Sequence, residues 1–264
     1  RATLHDVDDR IPQGGTDGTG GQCFERLVGF AGEARPERAR VLQSTGFRDD
    51  VVGLGQLCTE HDALFIVDGI QALGAVPVDV QRARIDVLSC GGQKWLCSPY
   101  GTGFAYVRRE VTERFEPELP GWLSFRATAD YTELLSYEYE LWPEARCFEV
   151  GTLPIQACVG FIESLELILE IGVDTIFEHT RALHEPLRAW ATQADARIVG
   201  GADVAHGSCI LPVAVPDAPR LHAALADAGV TCVPREGAIR FSPHFYNTMD
   251  EMEQVARILR SSRN

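Results

Sequence analysis

The sequence predicts an α/β fold in which helices cover a mostly parallel β-sheet. Two short runs are apolar on both faces, as strands buried between helices are: ALFIVD at 63–68 and IDVLSC at 85–90. A helical pattern, RDDVVGLGQLCTEHD at 48–62, precedes the first run, with acidic residues in its first turn. Buried strands that alternate with helices are typical of α/β layering.

The other elements of the larger part of the chain follow the same reasoning. Residues 154–194 form one long helical stretch that we expect to break at Gly172, with Asp174 capping the helix that follows. The remaining predicted elements are, in chain order, a strand at 39–43, a short helix and a connection at 69–84, a strand within 101–110 and a loop-rich, aromatic and acidic stretch at 111–150.

The end of the chain predicts a smaller αβ unit. Its predicted elements are a strand at 208–215, a helix ended by Gly229, a strand–turn–strand at 231–248 and an amphipathic helix at 249–262. We therefore divide the chain into a large domain with its long connecting helix, at 1–195, and a small C-terminal domain, at 196–264.

Composition excludes several classes of protein. The chain has 24 basic and 38 acidic residues, a net charge of −14, which disfavours binding to nucleic acid or to an anionic membrane surface. No apolar run reaches the ~18 residues that a membrane helix needs. The eight cysteines contain no CxxC and no zinc-ligand spacing, so we expect no metal site and reduced, buried cysteines in a cytoplasmic protein.

Polar residues follow the two buried strands at the point where each ends. Asp68 terminates the first run and Gln71 follows it, whereas Lys94 lies just past the second. Ligands of parallel sheets bind outside the carboxyl ends of strands, so these side chains are expected to meet at one site. A lysine can form a Schiff base with a carbonyl cofactor, and a carboxylate can keep the ring nitrogen of pyridoxal phosphate protonated. Strand-end acids also cap helices, and surface lysines are common, so spacing alone leaves both interpretations open.

The sequence segments around these residues resemble those of a known family. LFIVDGIQALGAVPVDV at 64–80, followed by IDVLSCGGQKWLCSPYGTGFAYVRRE at 85–110, resembles the class V aminotransferase family of fold type I pyridoxal-phosphate enzymes. FEVGT at 148–152 and IRFSPHFYNTMDEME at 239–253 are also similar to the family, in the family's order. The family includes cysteine desulfurases, selenocysteine lyases and isopenicillin-N-epimerase-like proteins, and the resemblance extends over most of the chain.

The resemblance implies pyridoxal 5′-phosphate as cofactor and an amino acid as substrate. Lys94 matches the Schiff-base lysine, which would also move the proton at the substrate Cα, and Asp68 matches the acid that pairs with the pyridinium nitrogen. Arg240 matches the arginine that binds the substrate α-carboxylate, for which a planar fork is suited. The other implied cofactor contacts are Gln71 to the phenolic oxygen or phosphate, Gln43 to the ring 3′ oxygen, Gln93 to a phosphate oxygen, and Thr102 or Tyr100 to the phosphate of the partner subunit's cofactor.

The resemblance implies a homodimer and an enzyme of the aminotransferase or epimerase type, often from bacterial secondary metabolism. A cysteine desulfurase or selenocysteine lyase is the alternative, although Cys232 lies in a predicted strand and not on a long loop before Arg240. Residues 1–38 are too short to supply the family's phosphate-binding segment, so we expect an N-terminally incomplete large domain. A non-catalytic, cofactor-free protein of the same fold is a further alternative.

Overall fold

A computed structural model describes residues 37–39, 45–114, 117–129, 132, 139–200 and 204–262. Gln43 lies outside the described residues, so its predicted contact with the cofactor ring stays a prediction. Of the predicted strand at 39–43, only Ala39 is described. Within the described residues, no helix is long and apolar enough to cross a bilayer.

The first sheet has four strands in the order β1-β2-β3-β4. Its strands are β1 (Glu37–Ala39), β2 (Phe65–Asp68), β3 (Val87–Gly91) and β4 (Gly103–Val107). The first three are parallel to one another and β4 runs antiparallel to β3, which confirms the predicted α/β fold with a mostly parallel sheet. Helix α1 (Val51–Glu60) begins after Asp50, whose carboxylate accepts the Gly53 amide hydrogen at 3.1 Å. Helix α1 and the strands enclose a buried core: Leu54, Cys58, Phe65, Val67, Ala83, Ile85 and Leu88.

The helix predicted directly after β2 is wrong, because the chain there forms consecutive turns. The Leu73 amide donates to the Gly69 carbonyl at 2.9 Å and the Val76 amide to the Ala72 carbonyl at 2.7 Å, yet no regular helix follows. Gly74 has φ +89°, which ends the helical path, and Pro77 offers no amide hydrogen to extend it.

The loop-rich stretch after α2 (Arg109–Thr112) is confirmed where it is described. Three single 3₁₀ turns form it, at Trp122–Ser124, Arg126–Ala129 and Ala145–Phe148.

The long helical stretch divides into three helices: α3 (Ile155–Ile171), α4 (Val173–Leu183) and α5 (Glu185–Gln193). The predicted break at Gly172 is confirmed, with φ +87°. The predicted cap is wrong, because Gly172 occupies the cap position. Asp174 lies inside the first turn, where its negative charge interacts favourably with the positive end of the helix dipole. A second break at His184 was not predicted, and Pro186 in the first turn of α5 accounts for it.

The C-terminal sheet is antiparallel, in the order β5-β6-β8-β7. It contains β5 (Arg197–Ile198), β6 (Leu211–Ala214), β7 (Val233–Arg235) and β8 (Ala238–Phe241). Glu236 and Gly237 join β7 to β8 and both have positive φ, as a two-residue hairpin turn requires. The predicted strand–turn–strand is thereby confirmed. The helix predicted to end at Gly229 is also confirmed, as α6 (Ala218–Asp227).

The terminal amphipathic helix is also confirmed, as α7 (Met249–Ser261). Its start is a capping box: the Glu251 amide donates to Thr248 Oγ1 at 3.3 Å, and the Thr248 amide donates to Glu251 Oε2 at 2.7 Å. The core below the C-terminal sheet draws residues from α5 as well as from α6 and α7, including Leu187, Trp190, Leu225 and Leu259. The proposed domain division at residue 195 stays a prediction.

A short segment ties the two sheets together. Phe47 pairs with Gly207, and the Arg48 amide donates to the His206 carbonyl at 2.9 Å. The Ser208 hydroxyl donates to the Gly46 carbonyl at 2.7 Å and is itself buried. The chain that follows the predicted strand at 39–43 is therefore held against the start of the C-terminal unit.

Candidate active site

Asp68 is the last residue of β2 and is fixed at the carboxyl end of the sheet. Its carboxylate oxygen Oδ1 accepts the Ile70 amide hydrogen at 3.1 Å, a contact that turns the chain away from the strand. Asp68 lies opposite Ser89 of β3, and the Gly69 amide donates to the Ser89 carbonyl at 2.8 Å. The side chain is partly exposed, so a ligand can reach it.

Lys94 lies on a short loop between β3 and β4, residues 92–102, which we call the lysine loop. Its backbone is closed by the Gly92 amide on the Thr102 carbonyl at 2.9 Å and by the Ser98 amide on the Gly92 carbonyl at 2.9 Å. The Cys97 amide donates to the carbonyl of Lys94 itself at 3.0 Å. Lys94 is exposed, so a flexible amine is presented from a well-connected loop.

Asp68 and Lys94 act on the same buried group, the Cys90 thiol in β3. Burial, and to a smaller extent the Asp68 carboxylate, raises the pKa of Cys90 to about 11, although the Lys94 ammonium acts in the opposite direction. The thiol therefore stays neutral between a negative and a positive side chain. The structure brings these two predicted residues to one edge of the sheet, while their catalytic roles stay predictions.

Gln71 is buried and has a defined partner. The indole Nε1–H of Trp95 donates to Gln71 Oε1 at 3.0 Å, which connects the segment after β2 with the lysine loop. The carbonyl of Trp95 is within 2.9 Å of His244 Nε2, so the same residue also contacts the C-terminal segment.

Gln93 lies against the backbone of Gly91. A Cβ atom built on Gly91 would be 2.5 Å from Gln93 Oε1, so the amide occupies the space that a side chain at position 91 would take. The amide nitrogen of Gln93 can donate a hydrogen bond, and its contact with a phosphate oxygen stays a prediction.

Thr102 is buried in the lysine loop. Its hydroxyl donates to the Pro99 carbonyl at 2.7 Å and lies 2.9 Å from Ser98 Oγ. The hydroxyl thus closes the turn that presents Tyr100, which is 87% exposed. Of these two candidates for a phosphate contact, Tyr100 is the one displayed to solvent.

Arg240 belongs to the other sheet, in the middle of β8. It is partly buried, opposite Pro212 of β6 and Val233 of β7. Burial lowers the pKa of Arg240, and the neighbouring Arg235 lowers it further. The binding of a substrate carboxylate by Arg240, which the resemblance implies, stays a prediction.

The seven described cysteines are free thiols: Cys58, Cys90, Cys97, Cys147, Cys158, Cys209 and Cys232. Cys232 is partly buried directly before β7, and burial raises its pKa. Since β7 and β8 are joined by two residues, no long loop carries a cysteine towards the site there. Cys97 is the exposed thiol, three residues after Lys94.

One signal in the sequence escaped the motif-based reasoning. The chain contains 24 basic side chains, of which 23 are arginine, and Lys94 is the single lysine. Counting lysines separately from arginines reveals that Lys94 is the single lysine, which is independent support for a special role of this residue.

The chain belongs to the class-V aminotransferase family, whose model matches residues 39–255. The predicted family is thereby confirmed. Similar proteins include the "uncharacterized aminotransferase YcbU" of Bacillus subtilis, 29% identical over 216 residues, which are 80% of this chain and 54% of that one. A "probable cysteine desulfurase" of Pyrococcus abyssi is 27% identical over 234 residues, which are 83% of this chain and 57% of that one.

Solved structures show the same fold. The apo cysteine desulfurase of Thermococcus onnurineus NA1 matches with a TM-score of 0.76 at 23% identity, covering 86% of this chain and 59% of that one. The cysteine desulfurase CsdA of Escherichia coli matches with a TM-score of 0.73 at 20% identity, covering 87% and 59%. The chain thus spans between half and two thirds of the length of the relatives it matches.

Proposed function

We propose that the chain binds pyridoxal 5′-phosphate through Lys94 and acts on an amino acid. The observation that carries this proposal is the single lysine. Arginine fills 23 of the 24 basic positions, so the chain meets its need for positive charge without lysine. A guanidinium stays protonated and cannot act as a nucleophilic amine, whereas a lysine can. Lysine therefore stands at the one position where the family's chemistry requires a primary amine.

The residues present fit the cofactor. Asp68 ends β2 and Lys94 follows β3, so the carboxyl edge of the sheet carries a carboxylate and an amine, the groups that a pyridinium nitrogen and an aldehyde carbon require. Asp68 would keep the ring nitrogen protonated, and Lys94 would hold the cofactor through Nζ. The bound cofactor withdraws electrons from the substrate Cα, so that bonds at this atom can break.

The remaining roles belong to side chains of this chain. Lys94, once released by the substrate amine, would take the proton from Cα. Arg240 would orient the substrate by gripping its α-carboxylate with two parallel hydrogen bonds. The other proposed cofactor contacts are Gln43, Gln71, Gln93 and Thr102. Transamination and epimerisation share the loss of the Cα proton, and we favour these two reaction types.

The first test uses the single lysine. Pyridoxal 5′-phosphate is added, the visible absorbance is recorded, the adduct is reduced with borohydride, and the modified peptide is identified by mass spectrometry. We expect one modified peptide, the one that contains Lys94. Lys94→Arg keeps the charge of an exposed side chain and should change the free energy of unfolding by less than about 0.5 kcal/mol. It should abolish the label, and a label on the chain's α-amino group alone would contradict the proposal.

Cysteine desulfurase is the second candidate, favoured by several relatives that are named as probable cysteine desulfurases. A desulfurase needs a nucleophilic cysteine with a low pKa and room to move, whereas Cys232 is partly buried with a raised pKa. We therefore expect no release of sulfide or alanine from cysteine. Release that is lost in Cys232→Ser but kept in the matched variant Cys158→Ser would establish the desulfurase instead.

We also propose a homodimer in the cytoplasm. Free thiols at the seven described cysteines are typical of a reducing compartment. The outer side of α3 supports self-association, because it exposes an apolar stripe at helical spacing: Ile155, Val159, Ile162 and Leu169.

A further inference from the structure

Trp95 anchors the lysine loop, although its neighbour Lys94 is exposed. The indole is 6% exposed and lies in a buried cluster formed by two parts of the chain. The cluster contains Ala72, Ala75 and Val76 from the segment after β2, together with Cys209 and Ile210 before β6. Trp95 therefore points into the core and Lys94 into solvent. Burial of the Trp95 ring fixes the direction in which the Lys94 side chain leaves the loop.

We propose that Trp95 and His244 are positioning residues that hold Lys94 and Gln71 for the cofactor. The inference rests on the proposed function. Neither residue would touch the cofactor or substrate, since each acts through a hydrogen bond to the lysine loop or to Gln71.

The first bond sets the orientation of the Gln71 amide. An indole Nε1–H can only donate, so the atom of Gln71 that lies 3.0 Å from it must be the oxygen. The amide nitrogen of Gln71 is then the end that can donate elsewhere. Gln71 follows Asp68 by three residues, at the edge that carries the site. Trp95 thus makes Gln71 a hydrogen-bond donor towards an anionic oxygen of the cofactor.

The second bond depends on one tautomer of His244. The Phe245 amide donates to His244 Nδ1 at 2.7 Å, so Nδ1 carries no hydrogen. Burial lowers the pKa of His244, which keeps the ring neutral and leaves the hydrogen on Nε2. Nε2–H then donates to the Trp95 carbonyl at 2.9 Å. The Asn247 side chain accepts the His244 amide hydrogen at 2.9 Å and fixes the segment itself.

Gly74 leaves the space that this arrangement needs. A Cβ atom at Gly74 would lie 2.5 Å from the Trp95 carbonyl oxygen, closer than a side chain allows. Its φ of +89° also places it in the region that favours glycine. The carbonyl of Trp95 is therefore enclosed between Gly74 and His244, one peptide unit after Lys94.

The main test measures the cofactor-free protein. Amide hydrogen exchange of a peptide spanning 92–102 reports opening of the lysine loop. We expect about tenfold faster exchange of the Cys97 and Ser98 amides in Trp95→Phe, which keeps the ring but loses the N–H. The matched control is Trp190→Phe: Trp190 is 2% exposed, and its indole nitrogen has no hydrogen-bond partner among the described residues. This control should leave the exchange of that peptide unchanged.

Two substitutions of His244 separate positioning from packing. Gln can donate to the Trp95 carbonyl as Nε2–H does, whereas Leu fills a similar volume without donating. We expect His244→Leu to accelerate exchange about tenfold and His244→Gln to stay within about threefold of the unmodified protein. If His244→Leu does not fold, Trp95→Phe and His244→Gln still decide. ¹⁵N NMR of labelled histidine should also show the Nε2–H tautomer for His244, and the Nδ1–H tautomer would overturn the second bond.

The failure of this inference can be told from the failure of the proposed function. If borohydride traps no cofactor on Lys94, the proposed function fails, while exchange in the cofactor-free protein still tests the two bonds. If cofactor is trapped, Trp95→Phe should weaken its binding about tenfold and Trp190→Phe should not. Trapping on Lys94 with unchanged exchange and unchanged affinity in Trp95→Phe would overturn the positioning roles.

Discussion

Asp86 is a charged residue enclosed at the start of β3, and its partners define what a substitution would remove. Its carboxylate accepts the Phe65 amide hydrogen at 2.8 Å and pairs with the partly exposed Arg108 at 2.5 Å. We expect Asp86→Asn to lower the free energy of unfolding by about 2 kcal/mol, because it removes the charge and leaves the guanidinium without its buried partner. Urea denaturation would measure the change.

A surface ion pair provides the control for Asp86. Glu253 lies 3.9 Å from Arg257 on α7, and both side chains are more than half exposed. Glu253→Gln should change the free energy of unfolding by less than about 0.5 kcal/mol. Equal losses for the two variants would contradict the assignment of stability to burial of Asp86.

His184 should make stability depend on pH. It is 1% exposed, and its pKa falls to about 3 because burial disfavours the charged ring, with Arg188 and Arg181 adding repulsion and a hydrogen bond to the Cys209 backbone opposing them. The unfolded chain takes up this proton near pH 6.5 and the folded chain only near 3, so stability is lost as the pH falls through that window.

The size of this effect follows from the two pKa values. Between pH 6.5 and 5 we expect His184 to lower the free energy of unfolding by about 2 kcal/mol. His184→Gln should flatten that slope, and the exposed His61→Gln should leave it as it is. Denaturation curves at several pH values would decide, and a slope unchanged by His184→Gln would contradict the prediction.

The charged residues of the candidate site, Asp68 and Lys94, were easier to predict from the sequence than the hydrogen bonds of Trp95 that surround them. Asp68 and Lys94 follow buried apolar runs, so the rule that ligands bind at strand ends was enough to predict their convergence. The bonds of Trp95 to Gln71 and to His244 join residues 24 and 149 positions apart. Contacts between residues so far apart in sequence depend on how the two units pack together, and local sequence patterns do not predict them.

Helix α1 supplies an element-scale prediction through two glycines. A Cβ atom at Gly55 would overlap the carbonyl oxygen of Ala83, so α1 packs against that backbone at a distance only glycine allows. Gly55→Ala should cost about 3 kcal/mol or more, since backbone has to move. At Gly53, two residues away, a Cβ atom meets only the movable carboxylate of Asp50.

Gly53→Ala is therefore the matched control in the same helix. The gain in helix propensity, up to ~1 kcal/mol, offsets the disturbance of the Asp50 side chain. We expect a net change within about 1 kcal/mol, measured by thermal or urea unfolding. A small loss for Gly55→Ala would show that α1 can shift away from the sheet without cost.

Elements were predicted best where both their pattern and their ends were marked. The last helix has an amphipathic pattern and a Thr–Glu capping box, and it forms where the sequence predicts it. The segment after β2 has enough helix formers to suggest a helix, but a glycine with φ +89° turns it instead. The break at His184 was missed because Pro186 is tolerated in a first helical turn and so does not by itself mark where a new helix starts.

At the scale of the whole molecule, the lysine loop contacts segments that belong to both sheet-containing units. Trp95 contacts the segment after β2 through its ring and the C-terminal segment through its carbonyl. The segment at 45–48 connects the same two units by another route. The position of Lys94 therefore depends on packing between the units as well as on the loop itself.

The apolar stripe of α3 supports the last prediction, which concerns assembly. Ile155, Val159 and Ile162 recur at helical spacing and are each more than half exposed, while Phe161 and Ile168 fill the opposite, buried side. A helix that is apolar on both sides requires a second partner, and we propose that a second copy of the chain supplies it.

Two charges placed on the stripe should prevent that association, because an unpaired carboxylate is costly to bury in an interface. Sedimentation equilibrium should show a dimer for the unmodified chain and a monomer for the double variant Val159→Glu, Ile162→Glu, with at least a hundredfold weaker association. Glu163→Gln changes an exposed neighbour on the same helix and should leave the dimer intact. A monomeric unmodified chain would refute the dimer, and a dimer that survives both charges would place its interface elsewhere.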